Sequence, residues 1–226
     1  MGNWVHIASL SSTFLTLLLA LFLAGCSSLP LPSIPWSQPA PASDPSAEAI
    51  FKQAMDHLNN KKYTRAIIQF EKIKGEFPFS TQAFEAELKI AEAQYLNKQY
   101  PEAALSFKEF LALRPTNENI PFVIYRLGLV HFEQFTGIDR DQKEIGIAQG
   151  YFETVIKDYA NSPYVADAIE KLAKCREYLA EREFYVASFY LKEKKYPAAR
   201  ERFENIIRRY RNTPTTVKAL YQLGES

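Results

Sequence analysis

Glycine is scarce in this chain, eight of 226 residues. That shortage argues against a turn-rich β fold, whose tight hairpins draw on glycine for left-handed backbone. Histidine is rarer still: His6, His57 and His131 are the only three. None has a His-x-x-x-His or His–Cys spacing, so no metal site is expected. No P-loop, Gly-x-Ser-x-Gly or Gly-x-Gly-x-x-Gly run occurs, which removes the usual marks of nucleotide, serine-nucleophile and dinucleotide chemistry. The two cysteines, Cys26 and Cys175, sit in unlike settings, one closing an apolar run and one inside the charged stretch 171–177. They make no disulfide framework, and Cys175 reads as a packed helical residue. A formal net charge of +1 supplies no basic field for nucleic acid. Carboxylates are many but scattered among Lys and Arg at helical spacing, as solvated helix faces require. An enzyme is therefore not expected, nor a cofactor.

What is abundant is aromatic: 16 Phe and 13 Tyr. With so little glycine, that suits helices packed on helices.

Charge is missing altogether from residues 1–43. Within this stretch, residues 13–24 form an unbroken apolar run. It is short for a bilayer span but suits a signal-peptide core. It ends in Leu23-Ala24-Gly25-Cys26, which resembles the bacterial lipobox, where a thiol accepts diacylglycerol and cleavage follows just before it. The n-region departs from the usual signal in lacking Lys and Arg. A myristoylated Gly2 would need Ser or Thr at the sixth position, where His6 stands. The expected divisions are a lipoprotein signal peptide over 1–25 and a lipidated Cys26 opening a linker over 26–46. Six of the 13 prolines fall in that linker, giving an extended spacer. The membrane would be reached through acyl chains only. Ser27 in place of Asp suggests the outer membrane, on its periplasmic side.

From residue 47 a repeat begins. Tyr63, Ala66, Phe70, Ile73 and Pro78 recur as Tyr100, Ala103, Phe107, Phe110 and Pro115. Ala54 and Ala91 keep the same offset. A third copy offers Gly128, Ala148, Phe152 and Val155, and a fourth Ala187, Tyr196, Ala199, Phe203 and Ile206. The pattern resembles the tetratricopeptide repeat, and an all-α superhelix is expected. Small residues let paired helices approach closely, and the ring four positions later fills the space beside them. The units fall at about 47–80, 84–117, 121–161 and 163–213, with a partial unit over 214–226. Eight extra residues near 136–146 lengthen the third hairpin tip. The stretch 163–195 has no Gly or Pro after its first residue, which predicts one helix of about 30 residues serving two positions. Ser162-Pro163 and Thr213-Pro214 read as N-caps with a first-turn proline.

Several local runs go further: Phe77-Pro78-Phe79-Ser80, Arg114-Pro115-Thr116-Asn117, Tyr125-Arg126-Leu127-Gly128-Leu129, Gly137-Ile138-Asp139-Arg140-Asp141 and Asp158-Tyr159-Ala160-Asn161-Ser162-Pro163-Tyr164. With the lipobox they resemble the BamD family, lipoproteins of the outer-membrane β-barrel assembly machinery. The resemblance implies a scaffold without cofactor or reaction. Its C-terminal repeats would bind a POTRA domain of BamA. Its N-terminal repeats would hold unfolded outer-membrane β-barrel proteins, and other assembly lipoproteins would be further partners. The alternative is a periplasmic repeat adaptor coordinating cell-wall synthesis with envelope constriction, though such proteins usually lack a lipobox.

The repeat register places Phe51, Met55, Leu58, Leu88, Tyr95, Leu96, Phe122, Tyr125, Leu129 and Phe132 on the inward face of the first helices. As a set they would form an apolar, aromatic groove suited to an amphipathic β-strand signal, though each alone is more often core than contact. His57 and His131 share one repeat position and read as packing residues. Arg200, Arg202, Arg208, Arg209 and Arg211 cluster near the end. Arg202 matches an arginine of the family's partner-facing helix, and Arg208 and Arg209 extend that surface. The anchor is tested directly: palmitate incorporation in cells should be lost in Cys26→Ala, and persistent labelling of that variant would remove the anchor.

Overall fold

The computed structural model describes residues 45–225. The signal peptide, Cys26 and nearly all of the linker lie outside the described residues. Within them the chain is helical throughout, with no strand. In chain order the helices are α1 (Pro45–Asn59), α2 (Tyr63–Glu76), α3 (Thr81–Leu96), α4 (Tyr100–Leu113), α5 (Ile120–Glu133), α6 (Lys143–Asp158), α7 (Val165–Lys192), α8 (Tyr196–Arg209) and α9 (Pro214–Glu225). Each helix packs on the next, and α1 also meets α3 as α7 meets α9. Short links between long neighbours make antiparallel hairpins, and the hairpins stack as a tetratricopeptide-type solenoid. None of the described helices is long and apolar enough to cross a membrane.

The repeat's small residues are where close approach demands them. Ala54, Ala91, Ala187, Ala66, Ala103 and Ala148 are completely buried, and Ala199 nearly so. The ring four positions after each second-helix alanine, Phe70, Phe107, Phe152 and Phe203, is also fully buried. Each such ring contributes roughly 2–3 kcal/mol by leaving water. Gly128 shows why its position must stay small. A Cβ there would sit 2.6 Å from Cε1 of Phe152.

Three hairpin turns repeat one backbone device. Lys61, Lys98 and Lys194 adopt left-handed φ values of 58°, 60° and 57°. The amide of the residue just before each second helix closes on the carbonyl five residues back: Lys62 to His57, Gln99 to Gln94 and Lys195 to Tyr190. This is the Schellman closure, usually made with glycine; lysine here accepts a strain of about 1 kcal/mol. Ser80 caps α3, accepting the Ala83 amide at 3.1 Å while its hydroxyl donates to the Phe77 carbonyl at 2.8 Å. At the next such junction the reading of Ser162-Pro163 as cap and first turn is corrected. Ser162 accepts the Tyr164 amide at 3.2 Å, and α7 starts at Val165, because the pair forms a turn that precedes the helix.

The third hairpin has a longer tip, and it is tied down. The Arg182 guanidinium donates to the Ile138 carbonyl at 3.1 Å. The Gln142 amide donates to the Gly137 and Arg140 carbonyls at 3.0 and 2.8 Å. At the base of this hairpin His131 is buried and stacks on Tyr151. It is more than a packing residue, because its Nδ1 lies 2.6 Å from the Glu144 carboxylate. His57, by contrast, is half-buried at the end of α1.

The 28 residues of α7 join two cores. Ala168, Leu172 and Cys175 belong to the core of the middle hairpins. Ala180 and Ala187 belong to the last core, with Phe203, Ile206 and Ala219. Thr215 of α9 is tied to the same helix, its hydroxyl donating to Glu177 at 2.8 Å.

Two glycine substitutions test the packing. Gly150, mid-helix in α6, has open space where a Cβ would stand. Gly150→Ala should raise stability by up to about 1 kcal/mol through helix propensity. Gly128→Ala should lower it by about 1–3 kcal/mol through overpacking against Phe152. Chemical denaturation reads both; equal signs would refute the close-contact account.

Candidate protein-binding groove

The first helices of the hairpins, α1, α3 and α5, carry the ten residues assigned to the groove. The structure divides them. Leu58, Tyr125 and Leu129 are buried, so they line no open surface; they face the adjoining hairpins and belong to the core. Phe51, Met55, Leu88, Tyr95, Phe122 and Phe132 are half-buried, packed against the core with one side left open. Only Leu96 of the ten counts as exposed, at 38%.

Three of these positions, Phe122, Tyr125 and Phe132, are joined by a row of aromatic contacts across the hairpins, and Tyr95 is linked to it through Arg126. Tyr95 meets Tyr100 at 5.9 Å between ring centroids. Phe122 meets Tyr164 at 5.6 Å, and Tyr164 stacks on Tyr125 at 5.3 Å. Tyr125 and Phe132 both approach Phe152, and Phe132 meets Tyr178, which stacks on Phe135 at 4.6 Å. Offset and tilted ring pairs of this kind add about 0.5–1.5 kcal/mol each beyond burial.

Polar groups thread the same row. The Arg126 guanidinium lies 5.1 Å from the centre of the Tyr95 ring and 5.0 Å from that of Phe122. It also donates to Glu92 at 3.3 Å, while its buried Nε has no partner among the described residues. The Tyr125 hydroxyl donates to Asp167 of α7. Burial first, then that hydrogen bond and the carboxylate's charge, hold the Tyr125 phenol protonated well above its ordinary range. Burial, reinforced by Glu133, likewise raises Tyr95. These phenols stay neutral donors across any physiological pH. Lys171 lies over the Phe132 ring at 5.3 Å. The surface therefore presents the neutral Tyr95 hydroxyl, ring edges and a few fixed charges, while the Tyr125 hydroxyl is taken up inside by Asp167.

Arg126, Tyr164 and Asp167 were not singled out from the sequence. Arg126 and Tyr164 stood inside runs that were noticed, but a residue's run does not tell which neighbour it crosses to. Asp167 carried no signal, being one carboxylate among many on a helix.

Other candidates resolve differently. Cys175 is fully buried and its thiol is pushed up to about 12 by burial, so it is inert as a nucleophile. No group of His, Cys, Asp or Glu that could hold a metal occurs among the described residues. The C-terminal arginines differ in how they are paired. Arg202 donates to Glu183 of α7 at 2.9 Å, and Arg200 pairs with Glu204 within α8. Arg208 and Arg209 stand in the last turn of α8, where cations complement the helix dipole.

The sequence profile of a family described as an outer membrane lipoprotein, YfiO, matches residues 43–226. The chain belongs to this family. Relatives agree with the assignment. The outer membrane protein assembly factor BamD of Rickettsia prowazekii (strain Madrid E) is 33% identical over 177 residues, which is 78% of this chain and 70% of that protein. Its namesake in Neisseria meningitidis serogroup A is 32% identical over 180 residues, 75% and 67% of the two chains. The namesake in Vibrio cholerae serotype O1 is 29% identical over 216 residues, 90% and 85%. Among solved structures, MamA of Desulfovibrio magneticus RS-1 is similar at a TM-score of 0.44 and 15% identity, over 76% of this chain and 99% of that one. Within the family match lie the whole aromatic row and the lengthened third hairpin.

Proposed function

We propose that this outer-membrane lipoprotein is an assembly factor for outer-membrane β-barrel proteins, held to the periplasmic side of the membrane by acyl chains on Cys26. It works as a scaffold and not as an enzyme. Its N-terminal hairpins receive unfolded barrel-protein segments, and its C-terminal hairpins bind a POTRA domain of BamA. The relatives' shared name supports the general role.

The observation that carries the reading for the N-terminal half is a set of half-buried apolar side chains along the first helices. Phe51, Met55, Leu88, Tyr95, Phe122 and Phe132 each leave one side open while the other is packed. An extended segment with alternating apolar side chains finds rings on one side of its backbone, and the Tyr95 hydroxyl and Arg126 beside them. Binding there needs little rearrangement, because the rings are already fixed by their neighbours. Leu96, exposed at the last turn of α3, would be the point of first contact.

For the C-terminal half, Arg202 is the residue of interest. Its side chain remains 42% exposed although it is paired with Glu183. Half-exposed pairs of this kind contribute little to stability, about 0–1 kcal/mol, so the guanidinium is free to be shared with a partner's carboxylate.

Two measurements test the two halves. A photo-crosslinker at Leu96 should trap nascent barrel proteins, while the same group at buried Leu129 should not; crosslinks from neither site, or equally from both, would remove the groove. In a pull-down, Arg202→Glu should weaken recovery of BamA. The double variant Arg202→Glu/Glu183→Arg keeps the internal pair but reverses its polarity, and it should stay weak. Wild-type recovery by both variants would eliminate this interface.

A further inference from the structure

A cleft of about 620 Å³ opens where α6, α7 and the turn after α8 come together. On one wall stands Arg176 of α7; the other carries Arg208, Arg209 and Arg211. Among the described residues no Asp or Glu lines it. The four guanidiniums are only lightly satisfied. Arg176 reaches Glu153 at 3.2 Å, with both side chains about half exposed. Arg208 meets only the Asn205 amide oxygen. Arg209 lies over the Tyr210 ring, 5.7 Å from its centre. Arg211 has no carboxylate partner among the described residues. The nearby Glu177 is already engaged by Thr215. The helix dipole accounts for cations at the end of α8, but not for Arg211 beyond the helix or for Arg176 on the opposite wall.

The geometry points to a docking site for an acidic, extended protein segment. Opposed guanidiniums with no lining carboxylate fit an anionic occupant, since each can grip a carboxylate with two parallel hydrogen bonds. A segment fits better than a single small anion for three reasons. The cleft is large. Asn212 supplies an amide, and Gln149, whose amide nitrogen donates to Glu153 at 2.9 Å, leaves its carbonyl oxygen to accept from a peptide backbone, while Leu179 and Tyr210 supply apolar surface. Gly146 leaves one edge of the wall without a side chain, in open space. The inference rests on the reading of the C-terminal hairpins as a partner-binding region. It concerns a different place, because Arg202 stands two helical turns before Arg209 and does not line the cleft.

The test uses the full chain in detergent at low ionic strength, with fluorescein-labelled hexaglutamate as probe and anisotropy as readout. The wild type should bind the peptide, and rising salt should weaken binding. Arg209→Glu/Arg211→Glu should weaken it about tenfold or more. Arg176→Gln, from the other wall, should weaken it several-fold. Lys192→Glu/Arg200→Glu makes the same change of net charge outside the cleft and should bind as the wild type does. Arg202→Glu should also bind the peptide normally, so failure here is distinguishable from failure of the BamA interface. No binding by the wild type would overturn the site, as would equal losses in the two double variants. Displacement by inorganic phosphate or dihexanoyl phosphatidylglycerol at lower concentration than by unlabelled hexaglutamate would overturn the peptide assignment.

Discussion

A ring seated against a small residue sets the geometry from which everything else follows. In each hairpin a first-helix Ala or Gly and a second-helix Ala leave room for two backbones to come close, and a phenylalanine fills what remains. The contact between Gly128 and Phe152 shows how little slack there is, since one added carbon would sit inside van der Waals distance. Interiors this dense tolerate neither a void nor an extra methyl. The spacing between helices is thereby fixed, and so is the place where the next hairpin can dock. The half-open rings of the candidate groove are held in position by the same contacts.

The long α7 changes how the stack transmits that order. Its first half completes the core that holds Phe152, and its second half builds the core that holds Phe203. A break between two hairpins would allow them to hinge; a continuous helix does not. The tip of the third hairpin reaches onto this helix through Arg182 and the Ile138 carbonyl, so the insertion braces the junction as well as lengthening the hairpin. The aromatic row ends on α7 as well, at Tyr178. The proposed groove and the C-terminal arginines thus share one long helix.

Charge is used sparingly and locally. Arg114 makes a two-point bond to Glu87 at 2.8 and 2.9 Å and covers the Phe84 ring, closing the second hairpin at its far end. Arg202 crosses from α8 to α7 with a single bond to Glu183. The cleft beside Arg209 differs, since four arginines line it and only Arg176 among them has a carboxylate partner, Glu153, among the described residues. An uneven share of cations on one surface favours an anionic neighbour over a cationic one.

Much of this was legible from residue order alone. Repeats of small and ring residues at fixed spacing specify paired helices, because only one side-chain size fits each contact. The missing Gly and Pro after residue 163 marked the long helix, and the altered spacing before Ala148 marked the insertion. The left-handed lysines at 61, 98 and 194 were invisible, because no glycine announced them and the hydrogen bonds that hold them are backbone bonds. Tertiary structure alone decided which ring of a noticed run is open and which is covered. Leu58, Tyr125 and Leu129 share a helix face with half-open neighbours, yet the next hairpin closes over them. It also decided which arginine meets a carboxylate and which faces an empty cleft. Helical periodicity says which way a side chain leaves its own helix, but exposure and pairing depend on what a second helix, distant in sequence, brings against it.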